Sequence, residues 1–400
     1  METENYPLLP NRIITPFEML ENTQIDFDTA GNFLLHKAAK SAKELSVGGA
    51  AIKAGTAIPG LMDIHVHGGF GVAFGIGQLR DDLEKYSAWA AGNGVIGFLL
   101  SITGPDTIFI SKTISAYVKI LEATTEWPGA IPLGLHLEGP FLNPEKHGAF
   151  NPTWICNPNL NEIKKYIEIG NGWIKHVSMA PELEHADIVA SFLVDSGVIV
   201  SLGHSNTDYE TARTALDGHF THVTHTFNAQ SSLHHRAPGV IGAVLSSDSA
   251  TAELIGDAFH VHPAAMKILF RCLGRERMIL ITDAMPGAGL PDGEYELLDQ
   301  KVTVKAGKAT LPDGTIGGST ATMDSALRTM VNMVDVPLED AVRIAAFNPA
   351  KLIGLESRMG SIENGKDGSL VLLDEYLEVQ KTFIKGKLVY SKQNEEQHGR

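Results

Sequence analysis

The chain has 400 residues, of which 44% are hydrophobic and 20% charged, enough for one large domain with a small companion. Its formal net charge of -15 argues against nucleic acid or an anionic membrane as a partner, and we expect neither. Cys156 and Cys272 belong to no CxxC pair, no apolar run approaches membrane-spanning length and no signal peptide is recognisable, so we expect free thiols and a cytoplasmic location.

Both ends of the chain are rich in short strand-like pieces and turn residues. Residues 1–58 contain stretches such as FDTAGNFLL, and residues 357–392 end in SLVLLDEYLEV and KTFIKGKLVY. Two β-rich ends around a different central part predict a small β-sandwich domain, assembled from residues 1–58 plus 357–400.

The central part, residues 59–356, alternates apolar runs with segments of helical spacing. The expected strands are residues 60–67, 95–102, 131–138, 174–180, 198–204, 221–227, 252–257 and 278–283. The clearest helical segments are residues 81–93, 106–122, 184–196 and 208–217. Runs that are apolar on both faces are typical of parallel strands covered by helices.

Eight such strands with crossovers predict an α/β fold, a TIM-like (β/α)8 barrel, with hairpins inserted after its last strand between residues 289 and 314. A doubly wound open sheet is the alternative. It would need a glycine-rich first turn for a nucleotide, and the glycines after the first strand lack the G-x-G-x-x-G spacing.

Several of these strands end in residues that can bind a metal ion or move a proton. His65 and His67 end the first strand and share a face, because residues i and i+2 of a strand point the same way. The same holds for His136 and Glu138 on the third strand, where a carboxylate after an apolar run is costly unless it is paired or metal-bound. Satisfied core histidines and a salt-bridged loop glutamate are the simpler interpretations of these residues.

The fifth, sixth and eighth strands add further candidates. His204 ends the fifth strand, and the sixth carries His222 and His225. Three residues apart, these two histidines should face opposite ways, and we expect His225, nearer the strand end, to point inward. Asp283 follows the eighth strand, where a helix N-cap is the competing interpretation.

Imidazole and carboxylate together are the ligand set of a hydrolytic Zn²⁺ or Fe²⁺ site. Such an ion lowers the pKa of a bound water toward neutrality and polarises a substrate carbonyl. Asp283 would then be placed to accept the proton of the water and to deliver it to a leaving nitrogen.

The motifs PGLMDIHVHG, HLEGPF, LGHSN, THTFNA and ITDA, in this order, resemble the amidohydrolase superfamily and, more closely, its N-acetylglucosamine-6-phosphate deacetylase family. The resemblance implies a barrel with a small β-sandwich in a cytoplasmic, usually dimeric enzyme. It also implies hydrolysis of the acetamide of an N-acetylhexosamine 6-phosphate, an amino sugar phosphate, with release of acetate.

The resemblance assigns roles to the strand-end residues. Glu138, His204 and His225 match the main metal ligands, and Asp283 matches the general acid/base. The ion is expected to be Zn²⁺, with Fe²⁺ as the alternative. A second ion is possible at a pair of histidines that some members keep and others have lost, here His65 and His67.

Positions matched to substrate contacts lie in the loops that follow the strands. They are Ala149, Asn228, Ala229, Arg236, His260, Ile316, Gly317 and Gly318. Arg236 matches a phosphate-binding arginine that the family supplies from the neighbouring subunit, which implies a homodimer. An exposed loop arginine and a tight glycine turn are the simpler interpretations of Arg236 and of the two glycines.

The sequence departs from the family pattern at several positions. Phe150 stands where a histidine is common, so that contact is missing or is supplied by His147. Gln230 and Ala237 stand where methionine and glutamate are common. These departures affect the identity of the expected sugar substrate more than the type of reaction.

Three rival functions fit parts of the same pattern. Dihydroorotase- or hydantoinase-like enzymes share the barrel but use a carboxylated lysine at the end of the fourth strand, whereas Lys175 lies near the beginning of that strand. An N-acetylgalactosamine-6-phosphate deacetylase would use the same metal chemistry. A non-catalytic sugar-phosphate sensor would be favoured by loss of Glu138 or Asp283, and both are present.

Overall fold

The computed structural model describes residues 7–37 and 52–392, and the structural statements below concern those residues. The strands are β1 (Leu8–Ile14), β2 (Met19–Glu21), β3 (Thr23–Phe27), β4 (Phe33–Lys37), β5 (Ile52–Pro59), β6 (Leu61–Val66), β7 (Gly68–Gly69), β8 (Val72–Ala73), β9 (Val95–Ile102), β10 (Ile131–Glu138), β11 (Ile174–Met179), β12 (Ile199–Leu202), β13 (His222–Val223), β14 (Thr251–Ile255), β15 (Met278–Ile281), β16 (Gly293–Leu297), β17 (Gln300–Lys305), β18 (Lys308–Thr310), β19 (Leu370–Leu373), β20 (Val379–Ile384) and β21 (Lys387–Ser391). The α-helices are α1 (Leu79–Gly92), α2 (Thr107–Ala123), α3 (Leu160–Gly170), α4 (Ala186–Asp195), α5 (Tyr209–Asp217), α6 (Gly239–Ser246), α7 (Pro263–Arg277), α8 (Met323–Asn332), α9 (Leu338–Val342) and α10 (Asn348–Leu352). None of these helices has the length and apolar character needed to span a membrane.

Eight parallel strands, β6 and β9 to β15, form the predicted barrel, each pairing with the next in chain order. The last strand returns to the first at their carboxyl ends. There the Asp283 amide donates to the His65 carbonyl, and the His67 amide donates to the Ala284 carbonyl, each at 2.9 Å. Strands β6 and β9 are buried along their whole length. Both faces of these strands must therefore be largely apolar, which explains the continuous apolar runs in the sequence.

Helices α2 and α5 begin where the sequence supplies a capping aspartate. Asp106 accepts a hydrogen bond from the Phe109 amide at 2.7 Å at the start of α2, and Asp208 accepts one from the Thr211 amide at 2.9 Å at the start of α5. The four helices predicted from spacing agree with α1, α2, α4 and α5 to within two residues at each end.

Two predicted barrel strands, residues 198–204 and 221–227, are too long. Strands β12 and β13 end at Leu202 and Val223. The chain then leaves strand geometry, because His204, His225 and Phe227 have φ values of 48°, 26° and 83°. His204 and His225 therefore lie on loops just past the strand ends, whereas Glu138 is the last residue of β10.

A separate sheet is built from both ends of the chain, as predicted. Its strands run in the order β21-β20-β19-β5-β1-β3-β4, with β2 paired to β1. Strand β5 joins the two ends, since it is parallel to β1 and antiparallel to β19. The predicted boundaries at residues 58/59 and 356/357 stay predictions, and residues 1–6, 38–51 and 393–400 of this predicted domain lie outside the described residues.

The insertion after the eighth barrel strand is the predicted hairpin unit. Strands β16, β17 and β18 form an antiparallel sheet with its own small apolar cluster, which includes Met285, Leu297, Val302, Val304 and Leu311. The unit lies at the barrel mouth, because Leu297 and the next residue, Leu298, line the cavity described below.

Candidate metal centre and active site

A cavity of about 240 Å³ opens at the carboxyl ends of the barrel strands. It is lined by eleven of the predicted site residues: Asp283, Glu138, His204, His225, His67, Ala149, Asn228, Ala229, His260, Ile316 and Gly318. The other three predicted residues are not in its lining. His65 is buried beneath the cavity floor, Gly317 lies behind the wall against Leu311, and Arg236 is exposed on the surface of the chain.

Glu138 lies at the centre of the site and is contacted by four imidazoles. Its Oε1 is 3.0 Å from His225 Nε2, 3.2 Å from His204 Nε2 and 3.4 Å from His65 Nε2. Its Oε2 is 2.9 Å from His67 Nε2. Two groups of three ligands therefore share Glu138, and in each group the ligand atoms lie within 4.8 Å of one another. The structure brings together the five predicted ligands.

The hydrogen bonds of His204 leave a lone pair pointing into this centre. Its Nδ1 lies 2.7 Å from the Lys146 carbonyl, an acceptor, so Nδ1 carries the proton. The other nitrogen, Nε2, is then unprotonated in the neutral ring and lies 3.1 Å from His225 Nε2 and 3.2 Å from Glu138 Oε1. Acceptors that converge in this way fit a divalent cation, which makes these residues suitable metal ligands.

Charge at the site is balanced between carboxylates and imidazoles. Burial raises the pKa of Glu138, but His65, His204 and His225 lower it further, to well below its ordinary value. Burial lowers the pKa of His67, whereas Asp283 and Glu138 raise it, to about 9. Protons therefore occupy positions between the carboxylates that a bound cation can take over, with release of those protons.

Asp283 lies beside the second group of ligands. Its Oδ1 is 3.3 Å from His67 Nε2 and 3.5 Å from His65 Nε2, and the residue is 8% exposed. Burial raises the pKa of Asp283, but His67 and His65 lower it further, so the carboxylate is ionised. The predicted general base therefore sits at the cavity and in the form that can accept a proton.

Two of the proposed metal ligands and the proposed acid/base have backbone conformations that side chains other than glycine rarely adopt. His204, His225 and Asp283 have φ values of 48°, 26° and 50°. The surrounding backbone holds two of them: the Asn143 amide donates to the His204 carbonyl at 2.9 Å, and the Ser319 amide donates to the Asp283 carbonyl at 2.8 Å. Such conformations cluster at functional sites, and here all three belong to the centre itself.

His260 is held by a carboxylate that the sequence analysis missed. Asp257 Oδ2 is 2.7 Å from His260 Nδ1, and Oδ1 accepts hydrogen bonds from the Phe259 and His260 amides at 2.9 Å. Because a carboxylate only accepts, Nδ1 carries a proton and Nε2 is the ring nitrogen left for a ligand. Burial lowers the pKa of His260, but Asp257 raises it further, and the net shift is upward. The spacing of three residues in GDAFH was the available signal.

The departures at Phe150 and Gln230 have distinct structural consequences. Phe150 lines the cavity and packs edge-on against the His204 ring, with centroids 5.1 Å apart. His147 is not in the cavity lining, and its Nδ1 bonds to the Phe150 carbonyl at 3.0 Å, so it is not placed to replace the missing histidine. Gln230 is buried and bonds to the Thr224 carbonyl and the Phe227 amide, which shapes the loop.

The prediction that His222 and His225 point to opposite sides is wrong. Both are buried in the barrel, with His222 one layer deeper, where its Nε2 is 3.3 Å from Glu253 Oε1. The strand rule fails because β13 ends at Val223, before His225 is reached. The Glu253 carboxylate and the buried ring of His176 were missed, although Glu253 interrupts an apolar run as Glu138 does.

Lys175 does not reach the metal centre. It lies near the beginning of β11, and its Nζ donates to the Gly172 carbonyl at 2.8 Å. The structure therefore offers no lysine from this strand for the bridging role that a dihydroorotase-like site requires.

Known proteins with similar sequences and structures identify the family to which this chain belongs. The model of the amidohydrolase family matches residues 56–389. An N-acetylgalactosamine-6-phosphate deacetylase from Escherichia coli O157:H7 is 37% identical over 333 residues, which are 82% of this chain and 86% of that protein. An N-acetylglucosamine-6-phosphate deacetylase from Bacillus subtilis (strain 168) is 36% identical over 334 residues, 83% of this chain and 84% of that protein.

Among solved structures, the crystal structure of N-acetyl-D-glucosamine-6-phosphate deacetylase from Mycobacterium smegmatis has a TM-score of 0.88 at 30% identity and covers 96% of this chain and 100% of that chain. The family implies a divalent metal, which the two groups of ligands around Glu138 can bind. The resemblance predicted from the sequence motifs is confirmed, and this chain belongs to the amidohydrolase family.

Proposed function

We propose that this protein is a metal-dependent hydrolase that removes the acetyl group from N-acetyl-D-glucosamine 6-phosphate, giving glucosamine 6-phosphate and acetate. It would be a carbon–nitrogen hydrolase of linear amides. The observation that carries the proposal is the convergence of Glu138, His204 and His225 on one point, with Asp283 on the same cavity. The same reaction is named for relatives with 33% to 36% identity over 83% of this chain.

Glu138, His204 and His225 would hold a divalent ion, most simply Zn²⁺, with Fe²⁺ as the alternative. Glu138 with His65 and His67 would hold a second ion. When bound, such ions polarise an amide carbonyl and acidify water.

The chain's own residues supply the proton transfers. Asp283, ionised at the cavity, takes a proton from the attacking water as the oxygen bonds to the acetyl carbon. The same carboxyl group passes this proton to the sugar nitrogen as the C–N bond breaks. The second proton of the water passes to the released amine, so acetate and the ammonium form of the sugar leave and Asp283 is again ionised.

The cavity walls divide between polar and apolar contacts to the sugar. His260, fixed by Asp257, presents Nε2 to the cavity, and Asn228 adds an amide. Leu297 and Leu298 from the hairpin unit line the same cavity and add apolar surface to it. Polar groups at a few fixed points in an apolar wall are suited to orienting a sugar.

The galacto epimer, N-acetyl-D-galactosamine 6-phosphate, is the second candidate substrate. The E. coli relative at 37% identity carries that name, and Phe150 removes a polar contact from the wall. The direct test is acetate release by the purified protein, supplied with Zn²⁺ or Fe²⁺, from the gluco and galacto phosphates and from plain N-acetylglucosamine. We expect the highest kcat/KM for the gluco phosphate. A higher value for the galacto phosphate would favour the epimer, and no release from any substrate would favour a sensor.

Arg236 is proposed to bind the phosphate in the active site of a neighbouring subunit of a cytoplasmic homodimer. In one chain it is exposed, its Nη1 lies 2.6 Å from His235 Nε2, and it does not line its own cavity. Arg236→Ala is expected to raise KM for the phosphorylated sugar about 10- to 100-fold, the loss of charge-assisted hydrogen bonds. Steady-state kinetics with phosphorylated and plain substrates measures this.

Arg271→Ala, at an exposed arginine of α7, is the control and should change the KM of neither the phosphorylated nor the plain substrate. Mixing Arg236→Ala with Asp283→Asn subunits tests the exchange between subunits, because a mixed dimer contains one complete site. Activity should then return in part. Equal losses on both substrates, or no recovery on mixing, would remove Arg236 from the proposed role.

A further inference from the structure

Glu253 of β14 is a fully buried carboxylate immediately beneath the metal centre. Its exposure is 0%, and its Oε2 lies 2.9 Å from His65 Nδ1. The same oxygen accepts a hydrogen bond from the His225 amide at 3.0 Å. Oε2 of Glu253 therefore contacts two of the proposed metal ligands, His65 on the first barrel strand and His225 on the loop after the sixth.

This contact fixes where the proton of His65 lies. A carboxylate oxygen only accepts, so the short contact requires a proton on Nδ1 of His65. The opposite ring nitrogen, Nε2, is buried, makes no hydrogen bond and lies 3.4 Å from Glu138 Oε1. In the neutral ring its lone pair points at the position where Glu138 and His67 also converge. The other tautomer would set a lone pair against Glu253.

The second oxygen of Glu253 accepts from another buried histidine. Its Oε1 lies 3.3 Å from His222 Nε2, and because a carboxylate only accepts, Nε2 carries a proton. Nδ1 of His222 then accepts from Thr251 Oγ1 at 2.7 Å. A glutamine at position 253 can keep its oxygen toward His65 and donate its amide to His222 once that ring takes the opposite tautomer, in which Nδ1 donates to Thr251 Oγ1 and the hydroxyl donates to the Thr221 carbonyl at 3.3 Å.

We propose that Glu253 is a positioning residue for the metal centre, which holds His65 in the Nδ1–H tautomer and thereby sets the affinity of the His65, His67 and Glu138 group for a second divalent ion. The proposal rests on the proposed function only for the presence of the metal centre. Carboxylate partners of metal-bound histidines typically change metal affinity about 10- to 100-fold.

The effect should be selective between the two groups of ligands. Glu253 contacts the ring of His65 but only the backbone amide of His225, and it contacts neither the His204 ring nor Glu138. Removing its charge should therefore weaken the second ion and leave the ion at Glu138, His204 and His225 nearly unchanged.

The test is titration of the chelator-treated apoprotein with Zn²⁺ by calorimetry and with Co²⁺ by visible absorption, for the wild type, Glu253→Gln and His65→Ala. The wild type should bind two ions, His65→Ala should lose one, and Glu253→Gln should bind that same ion about 10- to 100-fold more weakly. His176→Met is the control, because it removes a buried ring whose Nδ1 lies 4.0 Å from Glu253 Oε1 but leaves the contact of Glu253 with His65 in place, so both affinities should be retained.

Each other outcome has a distinct meaning. Unchanged affinity of both ions in Glu253→Gln, or a single ion in the wild type, would overturn this role of Glu253 while the proposed function stands. Equal weakening of both ions, with a lower unfolding temperature, would show a merely structural role. No ion bound by the wild type would instead reject the proposed function.

Discussion

Asp283→Asn is expected to bind substrate nearly as the wild type does and to lose about 10²- to 10⁴-fold of its turnover, the range that general acid/base catalysis contributes. Asparagine has almost the same shape but cannot accept a proton from water or return it to nitrogen. The backbone of this residue makes two hydrogen bonds, and the substitution preserves both: its amide donates to the His65 carbonyl, which helps to close the barrel, and its carbonyl accepts from the Ser319 amide.

The measurement separates binding from chemistry. Dissociation constants for the substrate come from calorimetry, and kcat comes from acetate release under saturation. Metal content must be measured in the same samples, because Asp283 Oδ1 lies 3.3 Å from the proposed ligand His67. A variant with full metal content and near-normal kcat would reject Asp283 as the acid/base, whereas loss of metal would make it a ligand.

The barrel and the location of the site were predictable because both follow from local rules. Parallel strands covered by helices must be apolar on both faces, so a polar residue at the end of such a run is conspicuous. Glu138 and Asp283 were found on that basis. The carboxyl ends of barrel strands meet at one rim, which brought residues distant in sequence to one cavity.

The orientation of His222 was not predictable by the same reasoning. Alternation of side chains holds only while the backbone remains extended, and β13 ends after two residues. His225, with φ of 26°, has left the extended conformation, and its Nε2 lies 3.0 Å from Glu138 Oε1. Such a conformation depends on contacts with neighbouring strands, and the pattern of apolar and polar residues within one strand does not reveal those contacts.

The cavity wall was predictable only in part. The hairpin unit after the last strand was expected, but its pattern did not indicate that Leu297 and Leu298 would face the site. Glu253 was missed for another reason. Its proposed role depends on contacts with His65 and His225, which are 188 and 28 residues away in sequence. The role of Arg236 depends on a second copy of the chain and stays a prediction.

Glu138→Gln is expected to remove both ions and to reduce deacetylation to background. Glu138 belongs to both groups of ligands, since its Oε1 faces His204 and His225 while its Oε2 faces His67. Glutamine keeps the size of the side chain but removes the charge, and its amide nitrogen would turn hydrogens toward one of these imidazoles in place of a lone pair.

Metal per protein, measured by elemental analysis after dialysis against limiting Zn²⁺, checks this together with acetate release. His67→Ala is the matched control, because it removes a ligand from one group and should leave the ion at Glu138, His204 and His225 in place. Circular dichroism of the apoproteins verifies that both variants fold. A Glu138→Gln protein that still holds a full equivalent of metal and releases acetate would show that the ion lies elsewhere, because Glu138 is the one residue common to both proposed sites.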